Sequence, residues 1–333
     1  MEEVTSRHFF RHGKEQYAHE RDDCHWCQLR HFPTDGNAPV TIVNEVDDQA
    51  LPRGFRFINS NVLGDGVRPA DVSFRSGCDC LDSTSCQFAG CQCLAELDEE
   101  NDSDDGSDHD EDAVDAPRRK TYAYHMHGAK AGLLRSRLHN SKVPLYECHQ
   151  GCSCTTDCPN RVVERGRAVP LQIFRTTDRG WGVRSQEALK KGQFVDRYVG
   201  EIITSAEADR RRDAAAVSQR KDVYLFALDK FTHPGSLDPR LRGPPLEVDG
   251  EFMSGPTRFI NHSCDPNLRI FARVGDHADK HLHDLALFAI RDIQRGEELT
   301  FDYVDGVSQD PDDEQDGMTP CLCGSSKCRG YLW

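Results

Sequence analysis

At 333 residues and 37% hydrophobic content, the chain can hold one large domain or two modest ones, each with an ample core. No run approaches the roughly 18 apolar residues of a membrane span, and Met1-Glu2-Glu3-Val4 lacks the basic and apolar regions of a signal peptide, so a soluble intracellular protein with no membrane association is expected. The formal net charge of −15 disfavours direct binding to a DNA phosphate backbone and suits a basic partner.

The charge is unevenly placed. Twelve Asp/Glu and no Lys/Arg lie between Glu96 and Asp115, which leaves the rest of the chain near −3. Fifteen cysteines in a reducing compartment are not expected to form disulfides, and their odd total argues against a full disulfide framework. Cys78-x-Cys80, Cys91-x-Cys93, Cys152-x-Cys154 and Cys321-x-Cys323 are pairs whose members rarely bridge each other but readily share a metal.

In chain order, residues 1–70 form an N-terminal region expected to pack on the core, with short strands at Val40–Val43 and Gly54–Ile58. Cys24 and Cys27 have the spacing of half a zinc site, but no second pair lies nearby, so ordinary free thiols are expected there. Residues 71–160 carry nine cysteines: Cys78, Cys80, Cys86, Cys91, Cys93, Cys148, Cys152, Cys154 and Cys158. Two separate tetrahedral zinc sites would leave one thiol over, whereas three zincs can share nine thiolates if three of them each bridge two metals. The trinuclear cluster is the preferred reading. This segment has few large apolar residues, so metal must supply much of its folding free energy. An acidic insertion at 96–117 splits the block and is too polar to bury a core; disorder is expected. Gly128–Leu138 reads as a short helix.

Residues 161–304 change character. Cysteine vanishes except for Cys264, and strand patterns appear at Leu171–Phe174, at Gln193–Ile203 as two strands about Gly200, at Asp222–Asp229 and at Asp284–Ile290. One helix is signalled by the capping box Thr204-x-x-Glu207 and the Ala- and Arg-rich run behind it. The fold class is therefore mainly β, built of small twisted sheets. Residues 305–333 hold a second acidic loop with six Asp/Glu from Asp305 to Asp316, then Cys321, Cys323 and Cys328, then Tyr331-Leu332-Trp333.

Five motifs stand together: Arg179-Gly-Trp-Gly-Val183, Tyr198-Val-Gly-Glu201, Arg258-Phe-Ile-Asn-His-Ser-Cys264, Glu298-Leu-Thr-Phe-Asp-Tyr303 and Cys321-x-Cys323-x4-Cys328. With them the chain resembles the SET-domain protein lysine methyltransferases that carry pre-SET and post-SET zinc modules, most of all the compact fungal type acting on lysine 9 of histone H3. The resemblance covers residues from about 20 to the C-terminus. It implies a SET fold with a pseudoknot, a three-zinc pre-SET cluster on the nine cysteines, and a fourth zinc held by Cys264, Cys321, Cys323 and Cys328. It also implies S-adenosylmethionine as methyl donor, the histone H3 tail as substrate, recruitment partners at chromatin, and a nuclear location in heterochromatin formation and gene silencing.

The resemblance assigns residue roles as well. Tyr303 and Tyr198 are the implied catalytic hydroxyls. Arg179, Trp181, Tyr224, Arg258, Asn261, His262 and Trp333 are the implied cofactor contacts. Phe226, Asp229 and Phe301 would border the substrate lysine, with a histone peptide adding as a strand along Val223–Asp229. Phe at 301, where Tyr restricts the product to fewer methyls in the family, implies trimethylation. The zincs would be structural only. A catalytically silent zinc scaffold is the competing reading; retention of Tyr198, Asn261, His262 and Tyr303 speaks against it.

Overall fold

The computed structural model describes residues 14, 16, 24–33, 36–81, 86, 91–95, 123–217, 224–304 and 319–332. The acidic insertion 96–117, the acidic loop 305–316, Val223 and Trp333 lie outside the described residues. The architecture is mainly β, and its strands form four small sheets among the described residues.

The largest sheet has five strands in the order β1 (Val40–Val43), β5 (Leu171–Arg175), β6 (Trp181–Ser185), β15 (Glu298–Phe301) and β12 (Asn261–His262). β1 joins it parallel to β5, with Val40 opposite Leu171. The N-terminal region thereby shares a core with the rest: Leu29, Phe32, Leu51, Phe55 and Phe57 pack with Ile173, Val183, Val195 and Leu299. Fully burying one such aliphatic side chain contributes about 1.5–3 kcal/mol.

A second sheet has the order β3 (Val62–Leu63), β8 (Glu201–Ile203), β10 (Glu247–Asp249) and β9 (Leu225–Ala227). A third pairs β11 (Met253–Ser254) with β2 (Arg56–Phe57), and the fourth runs β4 (Leu145–Tyr146), β13 (Leu268–Val274), β14 (Asp284–Ala289) and β7 (Phe194–Tyr198). The break between β7 and β8 is steric. A Cβ on Gly200 would sit 2.2 Å from the Asp249 carbonyl oxygen, so only glycine lets this turn press against β10.

Among the described residues, two helices accompany the sheets: α1 (His25–Leu29) and α2 (Ser205–Val217). Thr204 Oγ1 accepts the Glu207 amide at 3.3 Å, the first half of the expected capping box. The reciprocal half is replaced: the Glu207 carboxylate takes Arg211, which also bonds Glu201 and Asp249 and so ties α2 to β8 and β10. Cys24 is buried and its sulfur accepts the Cys27 amide at the start of α1.

The helix expected over 128–138 is instead two short 3-10 turns, Gly128–Lys130 and Ser136–Leu138. The backbone between them is committed across the chain. His125 donates to the Leu133 carbonyl and Arg135 to that of Ala123, leaving no run of helical bonds. β12 lies parallel beside β15, with His262 opposite Phe301, and Asn267 bonds Thr300 in both directions. Residues 261–267 and 298–301, the two stretches the resemblance places in a pseudoknot, therefore pack side by side.

Candidate methyl-transfer site and cysteine clusters

β6, β12 and β15 bring their ends to one cavity of about 430 Å³, bordered by Arg179, Trp181, Tyr198, Tyr224, Arg258, Asn261, His262, Phe301 and Tyr303. The C-terminal knuckle closes over it with Cys321, Leu322, Cys323 and Leu332. All the implied cofactor contacts among the described residues therefore meet at one place. Each is held by a specific partner.

The Asn261 amide nitrogen donates to the Trp181 carbonyl at 3.1 Å and to Glu298 Oε1 at 2.8 Å. Those two acceptors assign the amide orientation and leave Oδ1 to accept from a ligand. Arg179 donates to the other oxygen of Glu298 at 2.5 Å. Arg258 is buried, with its guanidinium 3.9 Å from the Tyr224 ring and 4.9 Å from Phe55 and Phe259, and it donates to the Gly250 carbonyl. It braces Tyr224 from behind by cation–π contact.

Tyr198 donates its hydroxyl to the Tyr224 carbonyl at 3.0 Å. A Cβ on Gly250 would lie 2.4 Å from that hydroxyl, so glycine is needed there to admit the ring. Burial holds the Tyr198 phenol well above its usual pKa, against a smaller downward pull from Arg258, so it remains a neutral hydroxyl. Tyr303 donates to the Ile260 carbonyl at 2.7 Å.

His262 connects this tyrosine to the cysteines. Its Nδ1 accepts the Tyr303 amide at 3.2 Å, and its Nε2 lies 3.3 Å from the Cys264 sulfur. The first bond assigns the proton to Nε2. Burial lowers the imidazole pKa, with Asp302 pulling up and Arg329 pushing down, consistent with a neutral ring.

A second cavity of about 610 Å³ adjoins the first, between β9 and β13. Phe226, Ala227 and Asp229 border it from β9 and the residues after it, and Leu268 to Ala272 from β13. β9 pairs with β10 on one edge only among the described residues, so its other edge can receive a further strand. Asp229 is exposed in this groove. Phe226 and Tyr303 border both cavities. Around them the rings of Tyr198, Phe226, Phe301 and Tyr303 are packed with centroids 4.6–6.3 Å apart.

Thirteen of the fifteen cysteines gather in two places. Cys264, Cys321, Cys323 and Cys328 bring their sulfurs within 4.8 Å of one another. The nine earlier cysteines form overlapping groups, with Cys78 and Cys148 each shared by three of them: Cys78, Cys91, Cys93 and Cys148; Cys78, Cys148, Cys152 and Cys154; Cys78, Cys80, Cys86 and Cys91; and Cys86, Cys148, Cys154 and Cys158, where Cys148 again takes part. A zinc tetrahedron with bonds of about 2.3 Å has sulfur–sulfur edges of about 3.8 Å. Four sulfur pairs match that edge, at 3.8 Å for Cys264–Cys321 and Cys86–Cys148, 3.9 Å for Cys78–Cys148 and 4.0 Å for Cys78–Cys86, while Cys93–Cys152 is closer at 3.3 Å. The donor set and spacing thus fit zinc. Amide and guanidinium donors point at several sulfurs, including His149 N to Cys152 at 3.3 Å and Arg161 to Cys154 at 3.3 Å, as suits thiolate ligands. Burial pushes the Cys78 and Cys86 thiols up, so collecting them as thiolates requires a compensating cation. The core around them contains little but cysteine, with Leu94, Tyr146 and Val274.

Three participants escaped the reading of residues: Glu298, Asp302 and Arg329. Glu298 and Asp302 stood inside a recognised motif, and Arg329 follows Cys328, but nothing local marks an ion pair across the fold.

Comparison with known proteins places this geometry. A SET domain model matches residues 180–304 and a Pre-SET motif model matches residues 33–161. The chain is 67% identical, over its whole length and 99% of the relative, to the H3 lysine-9 specific histone-lysine N-methyltransferase KMT1 of Fusarium mangiferae. It is 60% identical to the H3 lysine-9 specific enzyme dim-5 of Neurospora crassa, over the full length of both. The solved structure of the Neurospora SET domain protein DIM-5 superposes with a TM-score of 0.71 at 59% identity, covering 86% of this chain and all of that one.

Proposed function

This chain belongs to the SET-domain histone-lysine N-methyltransferases, and from that premise we propose that it trimethylates lysine 9 of histone H3 with S-adenosylmethionine, in heterochromatin formation and gene silencing in the nucleus. One observation carries the reading. Two cavities of about 430 and 610 Å³ adjoin and share Phe226 and Tyr303 in their linings. Adjoining cavities of this kind suit a group transfer, because a donor in one and an acceptor in the other would meet at the residues they share.

S-adenosylmethionine, when bound, supplies a methyl group on a positively charged sulfur. The first cavity would hold it through Arg179, Trp181, Tyr224, Arg258, Asn261 and His262, with Asn261 Oδ1 offered as an acceptor for a donor group; Trp333 completes the set implied by the family. The second cavity would take the histone tail as a strand on the free edge of β9, with Asp229 beside its basic or hydroxyl side chains. The net charge of −15 favours a basic peptide.

The target lysine must enter neutral, although its reference pKa is near 10.4. Tyr198, Phe226, Phe301 and Tyr303 would surround it with rings and little water, which favours the uncharged amine. Tyr303 is the group nearest the reacting atoms, and its hydroxyl orients the amine or assists its proton. Phe301 leaves the amine free to turn after each transfer, which favours trimethylation.

The same reading divides the chain by task. Residues 1–70 pack on the core, 71–160 form a three-zinc pre-SET module around the acidic insertion, 161–304 are catalytic, and 305–333 form the post-SET lid with a fourth zinc. All four zincs are structural. Chromatin-targeting proteins would bring the enzyme to its site without direct DNA binding.

Mass spectrometry of a histone H3 tail peptide incubated with the zinc-loaded protein and S-adenosylmethionine tests this directly. Trimethylation at lysine 9 is the expected product, abolished in Tyr303→Phe. Methylation confined to another lysine would refute the assigned site, and no methylation at all would refute the activity.

A further inference from the structure

Two residues touch the Cys264 sulfur and also grip the Asp302–Tyr303 dipeptide. His262 is one, through the two ring nitrogens already described. Arg329 is the other. Its backbone N–H points at the Cys264 sulfur at 3.4 Å, and its guanidinium forks onto both carboxylate oxygens of Asp302 at 2.7 Å each. The pair is largely shielded, with side-chain exposures of 23% and 15%. Asp302 Oδ1 also accepts the Val304 amide at 3.2 Å, so one carboxylate holds the backbone on both sides of Tyr303. The contacts close a ring: Cys264, His262, Tyr303, Asp302, Arg329 and back to Cys264.

We propose that Arg329 is a positioning residue for Tyr303: acting through Asp302, it couples the placement of the catalytic hydroxyl to the seating of the C-terminal cysteine knuckle on Cys264. The inference rests on the methyl-transfer reading above. A bidentate fork is what the task requires, because two parallel bonds fix the plane of the carboxylate as well as its distance. A lysine would supply a point charge with no fixed plane. A simpler role is distinguishable. If Arg329 only fastened the lid, whose Cys321, Leu322 and Cys323 border the cofactor cavity, its loss would be felt in cofactor binding. If it positions Tyr303, the loss falls on turnover at saturating cofactor and peptide.

The test uses the full chain, zinc-loaded, as wild type, Arg329→Ala, Arg329→Lys, Asp302→Asn and the double variant Arg329→Ala/Asp302→Asn. Steady-state kcat and both KM values are measured with zinc content per chain. Arg329→Ala should lower kcat roughly 10- to 100-fold, with cofactor KM and zinc content near wild type. Arg329→Lys should recover only part of the loss, and the double variant should be no slower than the worse single one, because both break the same link. An unchanged kcat, with or without a raised cofactor KM, would overturn the proposal. If Arg329→Ala sheds zinc, Asp302→Asn decides, since Asp302 lies outside the knuckle: full zinc with a wild-type kcat there also overturns it. A wild-type chain inactive on the peptide would instead remove the methyl-transfer reading on which the inference stands.

Discussion

The rings of Phe226 and Tyr303 meet edge to face with centroids 6.3 Å apart, and each borders both the cofactor-sized cavity and the groove beside β9. Phe226 arrives on an edge strand of one sheet and Tyr303 just beyond the last strand of another. The two cavities thus meet at this pair of rings. The T-shaped contact is the geometry that ring quadrupoles prefer.

The space where they meet predicts the product. Phe301 is buried, with its ring 4.8 Å from Tyr303 and 5.7 Å from Phe226. Phe301→Tyr adds a hydroxyl that can hold the amine and fill the space a methylated amine needs to turn. Mass spectrometry of the peptide should show the product moving from trimethyl- to mono- and dimethyl-lysine. Predominant trimethylation by this variant would defeat the steric argument.

The knuckle predicts a metal requirement. Cys264 stands two residues after His262 and shares its sulfur cluster with Cys321, Cys323 and Cys328. Cys264→Ala should cost one zinc per chain, open the tail to proteolysis and abolish turnover with Tyr198 and Tyr303 intact. A strong chelator should reproduce the loss in the unaltered chain. Activity that survives complete zinc removal, checked by elemental analysis, would contradict the coupling.

Stability depends on a charge cluster remote from the site. Glu147 is fully buried and accepts from the Tyr124 hydroxyl, the amides of Val162, Val163 and Glu164, and Arg273. Arg273 also pairs with Glu164 and Asp284, binding the segment before β5 to β13 and β14. Glu147→Ala leaves a buried cation short of a partner and should destabilise the fold by about 3–5 kcal/mol. Chemical denaturation would read this; a loss below about 1 kcal/mol, ordinary for a surface pair, would show that the cluster is not needed.

His283 predicts a pH dependence. It is buried, and its Nδ1 lies 2.9 Å from the Lys280 carbonyl. Burial lowers its pKa, against upward contributions from that carbonyl, Asp284 and Asp229 and a downward one from Lys230. The unfolded chain then binds a proton that the folded chain refuses. The contribution is fully present above the unfolded value near 6.5 and is lost as pH falls from there toward the folded value. Thermal melting should show stability decreasing from pH 7 to 5.5, and His283→Gln should flatten that slope. An equal slope in the variant would assign the effect to other groups.

Much of the frame was legible along the chain because it depends on local pattern. Val40–Val43 is a strand as read, Leu171–Phe174 lies within one, and the strand read over Asp284–Ile290 forms over Asp284–Ala289. Thr204 caps its helix because the hydroxyl needs only an amide three residues on. The reading of Gly128–Leu138 as a helix failed because its backbone bonds are taken by a cross-chain pairing that propensity does not register.

Composition, cysteine spacing and the motif set determined by themselves the mainly β class, the two cysteine modules and the family. Each is a property of neighbours in sequence, set by side-chain period, turn chemistry and ligand spacing. Only the tertiary structure decided that Phe226 and Tyr303 line two adjoining cavities, that Glu298 orients Asn261, and that Arg329 forks onto Asp302. Those partners are far apart in the chain, 27 residues for Arg329 and Asp302 and 37 for Asn261 and Glu298. Ion pairs and ring contacts of that kind carry no periodicity. They exist only once burial of the shared core has brought the strands that bear them side by side.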